Sequence, residues 1–401
     1  MEIRPILSAM WRNRTGSILV AIQVALTLAI VTNCMFMAKS RIDFIARPSG
    51  MDVENIITVQ SLGFGLAYEH GPTIVEDLRL LRAIPGVVSA SSVNSIPMSG
   101  SGSATGFRAG LEEDAPRETA NYYVLDEHAV ETLGVNMIEG RPFHDYEILD
   151  AGSSNGDMTE QVIITQAYAE KLFGDESAIG QRVYDGLGES GEVVGVVEHM
   201  FGAWVSWSGL SQVLWFPRRP TGPAVRYLVR AEPGQLDSLM PVIEKTLADS
   251  NRNRLVRNVR SMQDAIAGSY AGDRAIAVVL FVAVVMLFVI TGLGIVGLAS
   301  FAVRQRTKQI GTRRAIGARK RDIIRYFLTE NWLMTTIGLT IGTFLTIGLN
   351  YFLAAQFSIE RLDITYLVGG VFALWVLGFL AVAEPARRAS KISPAIATRT
   401  V

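Results

Sequence analysis

The residue types and spacings that suggest chemistry fall in one short stretch, Val303 to Glu330, which reads VRQRTKQIGTRRAIGARKRDIIRYFLTE. Its basic side chains are Arg304, Arg306, Lys308, Arg313, Arg314, Arg319, Lys320, Arg321 and Arg325, against Asp322 and Glu330. Among them stand Ile310, Ala315, Ile316, Ile323, Ile324, Phe327 and Leu328, and Gly311 and Gly317 interrupt the run. The pattern predicts two short helices with a turn near Gly317–Ala318. Guanidinium groups are fork-shaped donors that match carboxylates. Arg313, Arg314, Arg319 and Arg321 therefore suit an acidic partner surface, and Ile310 and Ile316 suit an apolar groove on it. A loop charged only to set membrane orientation needs Lys and Arg. It does not need ordered isoleucines and glycines between them.

Other chemistry is missing from the sequence. No Gly-Lys-Ser/Thr follows a glycine at phosphate-loop spacing, and the dipeptide Gly-Lys does not occur among the 37 glycines. There is no HExxH and no Cys/His set for a metal. His70, His128, His144 and His199 are scattered. The chain is expected to be non-catalytic, to bind no cofactor or metal, and to have no nucleic-acid partner.

The elements that position the basic stretch come from hydropathy. The chain has 401 residues, 49% hydrophobic and only 19% charged. Four uncharged blocks hold the excess: Ser17–Ala38, Ala275–Val303, Trp332–Ile359 and Ile364–Val382. Each reaches the roughly 20 apolar residues needed to cross a bilayer. The expected spans are 17–38, 275–303, 332–355 and 364–383, with the first few residues of the second emerging on the side of the large domain. The first block is read as a retained span rather than a signal peptide, because Met35-Phe36-Met37-Ala38-Lys39 is a poor cleavage site. The three segments flanking these spans on one side carry 16 basic and 4 acidic residues, net +12, against −1 for the chain, which leaves −13 elsewhere. Positive segments stay inside, so both termini and 304–331 are expected in the cytoplasm and 39–274 outside. Residues 1–16 are expected to form an amphipathic helix on the membrane surface, with Ile3, Ile6, Leu7, Met10 and Trp11 on one face. The spans hold no Asp, Glu, Lys, Arg or His, which argues against an ion-coupled path. Gly292 in the second span and Gly338-x-x-x-Gly342 in the third suit close helix packing, within a bundle or between protomers.

The outer segment reads as α+β with two lobes, one from about 50–110 and 216–265, the other an insertion of about 111–215. Strands are expected at 55–60, 87–93, 121–125, 161–165, 192–197, 212–216, 225–231 and 255–259. Helices are expected at 73–84, 126–133 and 235–250, with a further helix ending near Phe173-Gly174. Met98–Gly106 reads as a flexible Gly/Ser loop. Cys34 is the only cysteine, so no disulfide can hold this domain. Trp204 and Trp207, in the loop Phe201–Leu210, are candidates for an exposed partner tip.

RTKQIGTRRAIGARKRDI resembles the loop of the FtsX/MacB-type ABC transporter permeases, roughly R-x-x-E-I-G-I-R-x-A-L-G-A. Gln309 stands where Glu is usual and Thr312 where an apolar residue is usual. LRAIPGVVSA, LGVNMIEGRPF, VIITQAYAEKLFG, AIGQRV and EVVGVV are similar to the MacB-type outer domain, and AEPARRASKISPAIATR to that family's tail. The resemblance implies a four-helix inner-membrane protein that dimerises, with itself or a paralogue, through its membrane helices. It implies a separate ATPase, using ATP and Mg, docked on Arg304–Arg321 through Gly311, Gly317 and Ala318 among others. It implies mechanotransmission to a periplasmic domain, in some members with an adaptor and outer-membrane duct. Membrane lipid is the surrounding partner. Alternatives are a regulator of a cell-wall hydrolase, a lipoprotein-releasing permease, and a membrane sensor without an ATPase.

Overall fold

The computed structural model describes residues 14–66, 68–112, 114–150, 157–220, 222, 224–357 and 361–393. The amphipathic face expected within 1–13 and the tail end 394–401 lie outside those residues. The chain forms two compact units, one up to Ala46 and again from Asp273, the other Arg47–Gly272.

Helix α1 (Arg14–Ile45) begins three residues before the uncharged block and runs two turns past its end. Nothing in Lys39–Ile45 breaks a helix, and Lys39 pairs with Asp43 one turn on. The inserted unit then runs β1 (Ile56–Gly63), α2 (His70–Arg82), β2 (Val87–Val93), β3 (Ala104–Arg108) and β4 (Arg117–Leu125). It continues with α3 (Ala129–Leu133), β5 (Met137–Gly140), β6 (Gln161–Thr165), α4 (Gln166–Phe173), β7 (Arg182–Tyr184) and β8 (Ser190–Val197). It closes with β9 (Val213–Pro217), β10 (Ala224–Ala231), α5 (Leu236–Ser250), β11 (Arg254–Ser261) and α6 (Met262–Ala267).

Two sheets result. The first is antiparallel, in the order β11-β1-β10-β2. Alternate residues on a strand face opposite sides. Ile57, Val59, Tyr227 and Val229 meet Ile74, Leu78, Leu81, Leu239, Ile243 and Leu247 of α2 and α5. Ile56, Val93 and Leu228 meet Tyr123, Leu125, Trp215 and Met262 on the other side. β1, β2 and β10 are therefore covered on both faces, whereas β11 at the edge stays largely exposed. The second sheet has the order β5-β8-β6-β9-β4-β3-β7, and a β7–β8 pairing closes six of its strands into a ring. Phe107, Val124, Val162, Ile164, Val183, Val193, Leu214 and Phe216 fill it.

The lobe boundary differs from the sequence expectation. The second sheet starts at Ala104, because Ala104–Arg108 pairs with Arg117–Asn121, so the last residues of the Gly/Ser loop are strand. β3, β5 and β7 were not expected at all. They are short, and β5 is mostly exposed, so no apolar alternation marks them.

One buried ion pair stands out in the first lobe. Arg254 reaches Asp77 with Nη1 to Oδ2 at 2.5 Å and Nη2 to Oδ1 at 2.7 Å, and Tyr227 donates to Oδ2 at 2.6 Å. Both charged side chains are essentially inaccessible to solvent. Burial, then the Asp77 charge, pushes the Tyr227 hydroxyl well above its usual range. Burial would lower the Arg254 guanidinium, but its hydrogen bond to Asp77 and that charge leave it raised. The pair ties α2 to the start of β11.

After the inserted unit come α7 (Ala271–Gln305), α8 (Thr307–Ala315), α9 (Lys320–Phe357) and α10 (Ile364–Ser390). Among the described residues four helices are long and apolar enough to cross a membrane. α1, α7 and α10 contain their uncharged blocks and α9 covers the third from Trp332 to Phe357, and three of the four, α1, α9 and α10, run well beyond the expected span limits. α9 begins at Lys320 rather than near Trp332, since nothing after Gly317 breaks it. α10 passes through Pro385 to Ser390. The α1 and α7 ends are joined by Arg41 and Asp273 at 3.0 Å.

Breaking the Asp77–Arg254 pair from one side strands a buried charge, which costs about 3–5 kcal/mol. Asp77→Ala is therefore expected to shift the urea midpoint of the detergent-solubilised chain downward, followed by tryptophan fluorescence. An unchanged midpoint would show that the pair does not hold this lobe.

Candidate functional site

The basic stretch folds as an elbow, a short helix and a turn. α7 ends at Gln305, and Arg306, with φ −98° and ψ 12°, breaks the helix before α8. α8 ends at Ala315. Gly317 then adopts φ +105°, a region open to glycine and costly for other residues. Gly317 N donates to Arg314 O at 3.2 Å and Ala318 N to Arg313 O at 3.1 Å, which closes the turn. Arg319 N donates to Asp322 Oδ2 at 2.9 Å, satisfying one free amide where α9 starts.

The structure divides the expected docking residues into two sets. Arg304, Arg319 and Arg321 are exposed, as are Lys308, Lys320 and Arg325. Ile316 is 82% exposed at the tip of the turn. Gly317 beside it is exposed, and Ala318 half-buried. Arg313 is exposed but lies over the Tyr326 ring, 5.0 Å from its centroid. Arg314 is half-buried and donates from Nη1 to Ala318 O at 3.3 Å.

The second set faces inward, contrary to the sequence reading. Ile310 and Gly311 are buried, and Ile310 packs with Ile323 and Phe327 of α9 instead of offering itself to a partner. Arg306 gives Nη1 to both Glu330 oxygens, at 2.9 and 2.7 Å. Glu330 is only 5% exposed. Sequence reasoning missed Glu330 and Tyr326 as parts of this arrangement. The available signal was a lone carboxylate bordering an uncharged block and facing nine bases: such a group needs a partner.

The bundle around the elbow is held by close approach and polar contacts. A Cβ on Gly338 would lie 2.7 Å from Ala21 O, and one on Gly342 would lie 2.9 Å from Ala25 Cα. This glycine pair therefore serves packing inside the chain, α9 against α1. Gly292 makes only ordinary contact, with Leu377 Cδ1 3.4 Å from a built Cβ, whereas Gly294 receives the Gln23 amide. Gln23 donates to Ile290 O at 3.2 Å, and Thr27 and Thr291 share a 2.7 Å hydrogen bond. Asn350 donates to Asn33 Oδ1 at 3.3 Å, and Asn331 to Gly378 O at 3.0 Å.

In the inserted unit, Trp204 and Trp207 are half-buried and stack edge to face with centroids 6.2 Å apart. They are not the exposed pair that the loop composition suggested. Among the described residues no group of His, Cys, Asp or Glu comes together that could hold a metal ion.

A four-span bundle with a large α+β unit between its first and second spans and a basic elbow between its second and third defines a membrane protein of the ABC permease class. The model of the MacB-like periplasmic core domain matches residues 18–244, and that of the FtsX-like permease C-terminal region matches 281–394. The first match covers more than half of the chain, and the chain belongs to this family of FtsX/MacB-type ABC transporter permeases.

The macrolide export ATP-binding/permease protein MacB of Chromobacterium violaceum is 26% identical over 245 residues, covering 58% of this chain and 37% of that protein. The pyoverdine export ATP-binding/permease protein PvdT of Pseudomonas syringae pv. tomato is 23% identical over 399 residues, covering 97% of this chain. The chain spans 58% of that relative's length. The periplasmic region of MacB from Actinobacillus actinomycetemcomitans aligns over 56% of this chain and 98% of its own, at 15% identity and a TM-score of 0.36.

Adding a methyl group where two backbones touch costs about 1–3 kcal/mol. Gly342→Ala is expected to lower the melting temperature of the detergent-solubilised chain. Gly348→Ala, in open space, is expected to leave it unchanged or raise it. Equal effects of the two would refute the packing role.

Proposed function

We propose that this chain is the permease subunit of an ATP-driven efflux or mechanotransmission complex in the bacterial cytoplasmic membrane. The basic elbow and both termini face the cytoplasm, and Arg47–Gly272 lies outside. A separate ATPase chain binds ATP and Mg and docks on the turn Ile316–Arg321. Its closure moves the bundle, and the bundle moves the outer domain, so the chain itself does no bond chemistry. A second permease, identical or paralogous, completes the membrane part, and an adaptor with an outer-membrane duct extends it.

The observation that carries this reading is the exposed turn. An apolar side chain at 82% exposure, on a glycine-dependent turn and ringed by exposed Arg319, Lys320 and Arg321, is left largely uncovered among the described residues. Such a knob with charged surroundings fits an apolar groove rimmed by carboxylates. The two relatives are named export ATP-binding/permease proteins, which supports an ATPase as the partner.

Ile316→Asp and Arg319→Glu are each expected to cut recovery of an ATPase with the tagged chain from native membranes by about tenfold, equivalent to about 1.4 kcal/mol. The bundle should remain folded, since both side chains point away from it. Undiminished recovery in both variants would remove the docking assignment. Recovery of a murein hydrolase with the ATPase would instead favour regulation of the cell wall over export.

A further inference from the structure

The residue that breaks α7 from α8 is the same residue whose side chain is locked to α9. Arg306 is the one-residue elbow, and its guanidinium meets both oxygens of Glu330. The side chains are 15% and 7% exposed. Below the elbow, Ile310 packs on Ile323 and Phe327, and only about 20 Å³ of free space is left among Arg306, Ile310, Arg313, Tyr326 and their neighbours. On the α1 side the packing is different. A cleft of about 200 Å³, lined by Leu19, Val20, Ile295, Leu298 and Met334 among others, reaches Arg306 and Glu330. The elbow is thus tight toward α9 and loose toward α1.

We propose that the Arg306–Glu330 ion pair is a positioning device. It welds the docking helix α8 to span α9 at the elbow, so that a displacement imposed on the exposed turn reaches α7 and α9 together. Neither residue touches the partner. This rests on the reading of the turn as an ATPase contact.

A buried pair suits this role for a physical reason. In low dielectric, unpaired Glu330 or Arg306 is strongly disfavoured, so α8 cannot leave α9 by sliding, as an apolar contact alone would permit. Removing one partner therefore loosens the elbow, while Ile310 still keeps α8 near α9. The cleft toward α1 gives the joined elbow room to shift without repacking that side.

The test uses the full chain in lipid nanodiscs, with Cys34→Ala and spin labels at Ile316→Cys on the turn and Phe379→Cys on the exposed face of α10. Pulsed dipolar spectroscopy reads the distance distribution. A single narrow distance is expected in the parent. It should broaden in Arg306→Ala and in Glu330→Gln, and narrow again in the reversed pair Arg306→Glu/Glu330→Arg. If the reversed pair does not accumulate, Arg306→Lys is the second variant: it keeps the charge but on a shorter side chain than the one whose Nη1 meets both oxygens, and an intermediate width supports the proposal. Parent-like widths in both single variants overturn it.

Without the labels and with native Ile316, the same single variants are expected to retain ATPase binding but lose stimulation of ATP hydrolysis by the permease. Full stimulation in both also overturns the proposal. The labels report with no ATPase present. A failure of the docking reading shows separately, as undiminished ATPase recovery with Ile316→Asp.

Discussion

Inside a bilayer an apolar side chain gains nothing by leaving lipid for protein, because the two surroundings are equally apolar. Helices there must be joined by close backbone approach and by polar contacts. The seam between α1 and α9 meets that constraint, and the membrane unit depends on it. Gly338 and Gly342 bring α9 against the backbone at Ala21 and Ala25. Thr27–Thr291, Asn33–Asn350 and Asn331–Gly378 add hydrogen bonds that lipid cannot replace. Each is worth little, about 0.6 kcal/mol on average for such pairs, but together they fix which helix faces meet. α7 has few such contacts and is the least buried of the four spans. Its Val278, Phe281, Val285, Val289 and Leu293 stand exposed.

The same constraint explains the elbow. A charged group next to the hydrocarbon is tolerated when it is paired. Nine bases stand in 304–325, and one of them, Arg306, turns inward to Glu330 and is lost to any outside contact. The remaining bases can stay in water because α8 is short and its turn projects from the bundle. Charge therefore has two jobs within a few residues. Buried, it fixes the geometry of the helix. Exposed, it forms a surface.

This division sets how much was legible in the sequence. Uncharged blocks and the net charge of their flanks are one-dimensional signals, so the four spans, the inserted α+β unit and the basic stretch could all be read directly. The glycine at 317 marked its turn because only glycine takes φ +105° cheaply. Which side of α8 faces inward was not readable. Ile310 and Ile316 are the same residue type six positions apart, one buried and one 82% exposed. The difference arises from α9, whose register against α8 depends on contacts 13 to 24 residues away in sequence. The start of α9 was hidden for a related reason. A helix that crosses from water into lipid changes composition at Trp332 without changing conformation. The short strands β3, β5 and β7 left no trace because too few of their residues alternate.

The inserted unit shows the same residues obeying another solvent. In water, burial of apolar surface is the driving term, and its cores are filled by Trp215, Tyr123, Tyr168 and Tyr227 rather than by small residues. Glycine there also makes turns, with positive φ at Gly86, Gly134 and Gly180, whereas Gly338 and Gly342 sit in regular helix and serve approach. Ion pairs follow the same rule in both units. Asp77–Arg254 lies in a protein core and Arg306–Glu330 at a membrane edge, yet each joins a helix to an element that begins after a short connection, α2 to the start of β11 and the elbow of α8 to α9. A packed apolar contact can slide by a turn at modest cost, whereas a desolvated two-oxygen contact to a guanidinium cannot. In this chain both such contacts are built from one arginine and one carboxylate.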